Sequence, residues 1–78
     1  MIYIDTLQSY PGKRKKYAHM MADTLSELHE FAERIGVKKH FFHKDHYDIR
    51  EFEYNIVAHA GAKVVRPREL IDLRKKLK

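Results

Sequence analysis

Cysteine is absent from the 78 residues. Disulfides, thiolate zinc sites and a cysteine nucleophile are therefore excluded, and the chain suits the reducing interior of a cell. The three glycines never cluster into a phosphate-cradling loop, and neither HExxH nor a nucleophile elbow occurs. Covalent nucleophilic catalysis thus has no support. No stretch approaches the roughly 18 apolar residues of a membrane span. The opening Met1-Ile2-Tyr3-Ile4 ends at Asp5 with neither a basic flank nor a long apolar run, which predicts a strand and not a signal peptide. The expectation is one cytoplasmic domain over residues 1–78, near the size at which a single core barely sustains a fold.

Charge is what the chain has in quantity. Sixteen Lys and Arg face 11 Asp and Glu, a formal net charge of +5. Lys13-Arg14-Lys15-Lys16 follow Pro11-Gly12, and Arg66, Arg68, Arg74, Lys75, Lys76 and Lys78 load the C-terminal end. The acids concentrate in the middle, from Glu27 to Glu53. A basic surface polarised in this way favours phosphate-rich partners, although solubility alone also accounts for it.

Periodicity predicts an α/β domain, with a short mixed sheet and three helices. Strands are expected near 2–5, 17–22 and 62–65, with a further strand or a bent connection at 37–42. Residues 17–22 also suit a helix, but Asp23-Thr24 opens a clearer one, so a strand is preferred. A helix is expected at 24–35, with Thr24 and Glu27 spaced as a capping box and Gly36 as a left-handed stop. Leu25, Leu28, Ala32 and Ile35 carry its apolar stripe. Asp48 and Glu51 repeat the box spacing, which predicts a helix over 49–60 with Ile49, Phe52, Ile56 and Ala60 as its stripe, ending at Gly61. Pro67 suits the first position of a third helix over 67–77, lined by Leu70, Leu73 and Leu77.

His40 to His46 supplies three of the six histidines, within a nine-residue stretch ending at Asp48. The strand ending in Asp5, the run Ala18-His19-Met20-Met21-Ala22-Asp23 and Glu27-Leu28-His29-Glu30-Phe31-Ala32 resemble a small bacterial and phage family, DUF4031. Gly36, His46-Tyr47-Asp48, Gly61-Ala62 and Arg68-Glu69-Leu70 extend the resemblance over nearly the whole chain. Its most specific pieces are His19 with Asp23 and the His-Tyr-Asp triplet. It implies a fold and candidate positions but no reaction. The basic loop 13–16, where relatives carry tryptophan-rich sequence, departs from the pattern, as do His40 and His43.

Asp5, His19, Asp23, His46 and Asp48 form the group to test. Carboxylates and imidazoles ligate Mg²⁺, Mn²⁺ or Zn²⁺, and such a cation activates water or polarises a phosphoryl oxygen. The assignment is Asp5, Asp23 and Asp48 to metal, His19 and His46 to acid–base work, and Lys13, Arg14, Lys15, Lys16 and Arg66 to phosphate. Topology decides which of them meet. If residues 6–16 form a hairpin, His19 returns to Asp5 and Asp23 lies roughly 13 Å farther on, at about 3.3 Å per residue; a parallel crossover reverses this. Structural roles compete throughout. Asp48 serves as a helix cap, Asp23 supports the Thr24 turn, and His29 and His59 are hydrogen-bonded core histidines. Asp5 has the weakest structural explanation, because a carboxylate beside a buried strand must be paired. A site built from His40, His43 and His46 is disfavoured. The aromatic residues, with the basic loop, offer a stacking surface for nucleic acid, although core packing accounts for most of them.

The expected function is binding of a phosphate ligand, nucleic acid or nucleotide, with metal-dependent phosphodiester hydrolysis as the best-matched reaction. The alternative is a non-catalytic interaction module of phage or bacterial origin. Open sheet edges also allow a homo-oligomer.

Overall fold

Ile2, Ile4, Ala18, Met20 and Ala22 recur at every second position, and this alternation divides a sheet into an apolar and a polar face. The computed structural model describes residues 1–12 and 14–76. The Lys13 phosphate contact and the Leu77 helix position expected above lie outside the described residues, as does Lys78.

The strands are β1 (Ile2–Ile4), β2 (Gln8–Ser9), β3 (Lys16–Ala22), β4 (Phe42–His43), β5 (His46–Arg50) and β6 (Lys63–Val64). The helices are α1 (Leu25–Ile35), α2 (Tyr54–His59) and α3 (Pro67–Lys76), with single 3-10 turns at Lys39–Phe41 and Glu51–Glu53. The sheet runs β4-β5-β3-β1-β6, with β2 also paired to β3. All pairings are antiparallel except β1 with β6. The α/β class with a mixed sheet and three helices is therefore as expected. The first connection is the hairpin alternative, with Ile2 opposite Ala22 and Ile4 opposite Met20.

Register explains the layering. The face carrying Ile2, Ile4, Ala18, Met20, Tyr47 and Ile49 packs against Leu28, Phe31 and Ala32 of α1 and Val57 of α2. Each fully buried side chain of this size contributes about 2 kcal/mol, so this layer holds most of the fold's apolar stabilisation. The opposite face is only partly covered, by Val65, Leu70 and Leu73 against Tyr3 and Met21. Covering one end of that face with α3 leaves the other end open for chemistry.

α1 starts as expected: the Thr24 hydroxyl accepts the Glu27 N–H at 3.2 Å, and Gly36 closes the helix at φ 86°. The reciprocal half of the box is not made. The Glu27 carboxylate instead accepts from the Met1 ammonium. Leu25, expected on the buried stripe, is exposed.

The helix expected over 49–60 is corrected. Residues His46–Arg50 form a strand, and the helix occupies only Tyr54–His59. In His-Tyr-Asp-Ile-Arg the period is two: Tyr47 and Ile49 are buried on the core face while Asp48 and Arg50 face the other side. Pairing along β3 satisfies this period and keeps Tyr47 and Ile49 in the core. The box lies later in sequence than expected, with the Glu53 carboxylate accepting from the Arg50 backbone N–H at 3.2 Å and from its guanidinium at 3.0 Å. Asp48 is thus no helix cap. Phe52 and Ile56, expected on the buried stripe, are exposed. Segment 37–42 is a 3-10 turn leading into β4, and β2 falls inside the 6–16 connection.

Candidate functional site

Asp5 immediately follows β1 beside His19 of β3, and it is 1% exposed. Its Oδ1 accepts the His19 backbone N–H at 2.6 Å, and its Oδ2 bonds His19 Nδ1 at 2.9 Å. Gln8 Nε2 donates to the same Oδ2 at 3.1 Å. A burial cost that would otherwise disfavour the carboxylate is offset by three donors. Because a carboxylate only accepts, Nδ1 carries the proton and the Nε2 lone pair of neutral His19 points away from Asp5.

His46, at the start of β5, repeats the arrangement. Its Nδ1 bonds Asp45 Oδ1 at 2.9 Å, and Asp45 Oδ2 accepts from Arg74 Nε of α3 at 2.9 Å. Asp48 stands opposite His19 in the β3–β5 register and two residues from His46, so strand alternation places all three on one face. His46 Nε2 lies 3.4 Å from Asp48 Oδ1, and the His19 and His46 ring centroids are 5.1 Å apart. One candidate ligand atom from each of His19, His46 and Asp48 falls within 4.8 Å of the others. Two ligands at about 2.1 Å from a tetrahedral ion are about 3.4 Å apart. The His46–Asp48 spacing already matches, and His19 needs to close by about 1.4 Å at most to join them.

The electrostatics follow from these contacts. The Asp5 hydrogen bond raises the His19 pKa against the opposing effect of burial. Burial pushes Asp45 up, but the hydrogen bonds from His46 and Arg74 outweigh it and leave the carboxyl below its usual range. Tyr10, whose hydroxyl lies 3.1 Å from His19 Nε2, is shifted up by burial and by the charges of Asp5 and Asp48, so it keeps its proton. Two clefts meet at Tyr10 and His19. One, of about 260 Å³, is walled by Pro67, Leu70, Ile71 and Arg74. The other, of about 310 Å³, is lined by Tyr17, Phe41 and Asp48.

Of the five expected site residues, Asp5, His19, His46 and Asp48 converge and Asp23 does not. Asp23 bonds the Met1 ammonium at 3.1 Å and the Tyr3 hydroxyl at 3.0 Å, four residues beyond His19 and, at about 3.3 Å per residue, roughly 13 Å along the strand. A single strand cannot bring both residues to one point. Asp5 is also not a first-contact ligand, since both its oxygens are taken by His19 and Gln8. Arg14, Lys15, Lys16 and Arg66 are exposed and line neither cleft. His29 is half-buried and bonds the Tyr47 hydroxyl at 2.7 Å, but His59, expected in the core, is exposed. His40 packs against Phe41, and only His46 of the three closely spaced histidines joins the converging group.

Four residues were missed. Gln8 and Tyr10 lie in the 6–16 connection, Asp45 carries no sequence signal of its own, and Arg74 falls among the C-terminal basic residues. The Arg74 signal was present, because it follows Leu70 by four residues and so shares that residue's sheet-facing side of α3.

Fold and site together define a small α/β protein with a histidine–carboxylate centre on the open face of a mixed sheet. The chain belongs to the family described as "Protein of unknown function (DUF4031)", which it matches over residues 2–77. Nothing among curated proteins or solved structures matches it.

Proposed function

We propose that the protein is a divalent-metal-dependent phosphodiester hydrolase acting on nucleic acid or a nucleotide. The observation that carries this reading is that two imidazoles, each with Nδ1 bonded to its own carboxylate, converge with Asp48. Metal-binding histidines characteristically carry such a carboxylate behind them, which fixes the tautomer and ring orientation and raises ligand basicity. The ion would be held by His19 Nε2, His46 Nε2 and an Asp48 oxygen, with Asp5 and Asp45 as the supporting carboxylates. Two imidazoles favour Zn²⁺ or Mn²⁺ over Mg²⁺.

A bound ion would lower the pKa of its water to about 7 and polarise a phosphoryl oxygen. The chain's own residues supply the remainder. Asp5 and Asp45 keep both imidazoles aimed at the centre. Tyr10, held in its neutral form, is placed to donate a proton or hydrogen bond to the oxygen that departs. Arg74, in the wall of one cleft, adds positive charge where an anionic substrate would enter. The phosphodiester class is supported by the net charge of +5 and by the aromatic lining of the second cleft.

The test is hydrolysis of bis(p-nitrophenyl) phosphate by protein stripped with EDTA and then supplied with Zn²⁺, Mn²⁺ or Mg²⁺. The expected result is turnover that needs metal and disappears in His46→Ala and Asp48→Ala variants whose circular dichroism is unchanged. Absence of turnover with every ion, in a folded protein, would sink the hydrolase reading. It would favour the non-catalytic interaction module, for which the exposed Phe52 and Ile56 offer a surface.

A further inference from the structure

We propose that the substrate is a single strand of nucleic acid, with one base lodged among Tyr10, Tyr17 and Phe41 and the adjoining phosphate at the His19–His46–Asp48 point. This deepens the hydrolase reading and rests on it for the position of the phosphate.

The geometry favours a polymer over a lone nucleotide. The two clefts, of about 260 and 310 Å³, share Tyr10 and His19, with His46 lining one and Asp48 the other. One falls below the roughly 300 Å³ at which small-ligand pockets begin and the other only just reaches it, so a ligand that spans both fits better than one confined to either. A chain crossing from one to the other occupies both and sets a linking phosphate over the centre.

The lining distinguishes what enters each side. Three of the five residues around the larger cleft are aromatic. Bases stack on such rings with little sequence preference, each contact contributing about 1–3 kcal/mol. Phe41 packs against His40, with ring centroids 4.0 Å apart, and the Arg50 guanidinium lies 4.3 Å from its ring. Arg50 also stands opposite Tyr17 in the β3–β5 register, with its guanidinium paired to Glu53. Arg14 and Lys15 are exposed on the turn that leads into Tyr17, at most three residues away, or about 10 Å of chain. Flanking phosphates would find them there. In a duplex the bases are stacked inside and cannot reach Tyr17, so the strand must be single.

Fluorescence anisotropy with 5′-labelled oligo(U) and oligo(dT), each alone and as a duplex with its complement, tests this in EDTA, where no cleavage intervenes. The expected result is single strands bound at least tenfold more tightly than duplexes. Tyr17→Leu and Phe41→Leu, which keep apolar volume but remove the ring, each weaken binding by about 5- to 100-fold, and Zn²⁺ affinity stays unchanged. Arg14→Ala with Lys15→Ala lowers the salt slope by about 0.7 per lost contact. Equal binding of duplex, no effect of either leucine variant, or equal displacement by polyglutamate would overturn the proposal. The two readings fail separately. Strand binding in EDTA does not need the metal centre, and metal uptake does not need the aromatic cleft.

Discussion

Asp5 decides the chemistry of His19 because it has no proton to give. Its carboxylate forces the imidazole proton onto Nδ1 and leaves the Nε2 lone pair to the Tyr10 hydroxyl, or to an ion that displaces that hydroxyl. Replacement by Asn would present an amide N–H to Nδ1, move the proton to Nε2 and remove the lone pair. Asp5→Asn should therefore weaken Zn²⁺ binding by about 10- to 100-fold, measured by calorimetry, with secondary structure retained. The same contact sets a pH dependence in metal-free protein. Since Asp5 raises the folded-state pKa of His19, the stabilisation is fully present below the unfolded value of 6.5 and is lost as pH rises through the higher folded value. Urea midpoints in EDTA should fall over that window in the wild type and stay flatter in His19→Gln. Asp5 was legible in the sequence, since a carboxylate closing a buried strand needs a partner. Asp23 was misread because its residue type matched while its strand position, four residues from His19, did not. Tyr10 was not legible as a site residue, and Arg74 only through its four-residue spacing from Leu70. Their placement depends on a hairpin crossing and on helix packing, neither of which is a local property.

At the scale of elements, β5 teaches most. Asp48 and Glu51 have the spacing of a helix start, yet residues 46–50 pair with β3 because Tyr47 and Ile49 complete the core face. Local propensity lost to tertiary pairing, and that pairing is what turns Asp48 from a cap into a ligand candidate. The other termini were readable where the signal was chemical: Thr24 accepts its N–H bond, Pro67 opens α3, and Gly36 takes the left-handed conformation at φ 86°. A Cβ at Gly36 would meet nothing within 4 Å. Gly36→Ala should consequently cost only the backbone term, about 1–2 kcal/mol in chemical denaturation, without altering metal affinity.

Across the whole molecule, one sheet divides the labour between its faces. The closed face stabilises and the open face presents polar groups, so the two should be separable by mutation. Ile49→Val, on the closed face beside Asp48, should cost about 0.5–1.5 kcal/mol in urea unfolding. A domain of this length has only about 4–12 kcal/mol in total, at roughly 0.05–0.15 kcal/mol per residue, so larger truncations would obscure the comparison. Metal affinity should hardly change, because no polar partner is removed. The most direct test of the account is calorimetric titration of Zn²⁺ into metal-free protein, comparing wild type with His46→Ala and Asp48→Ala. The account predicts a single ion per chain in the wild type and loss of that site in both folded variants. Undiminished binding by the variants, or no binding by the folded wild type, would contradict it.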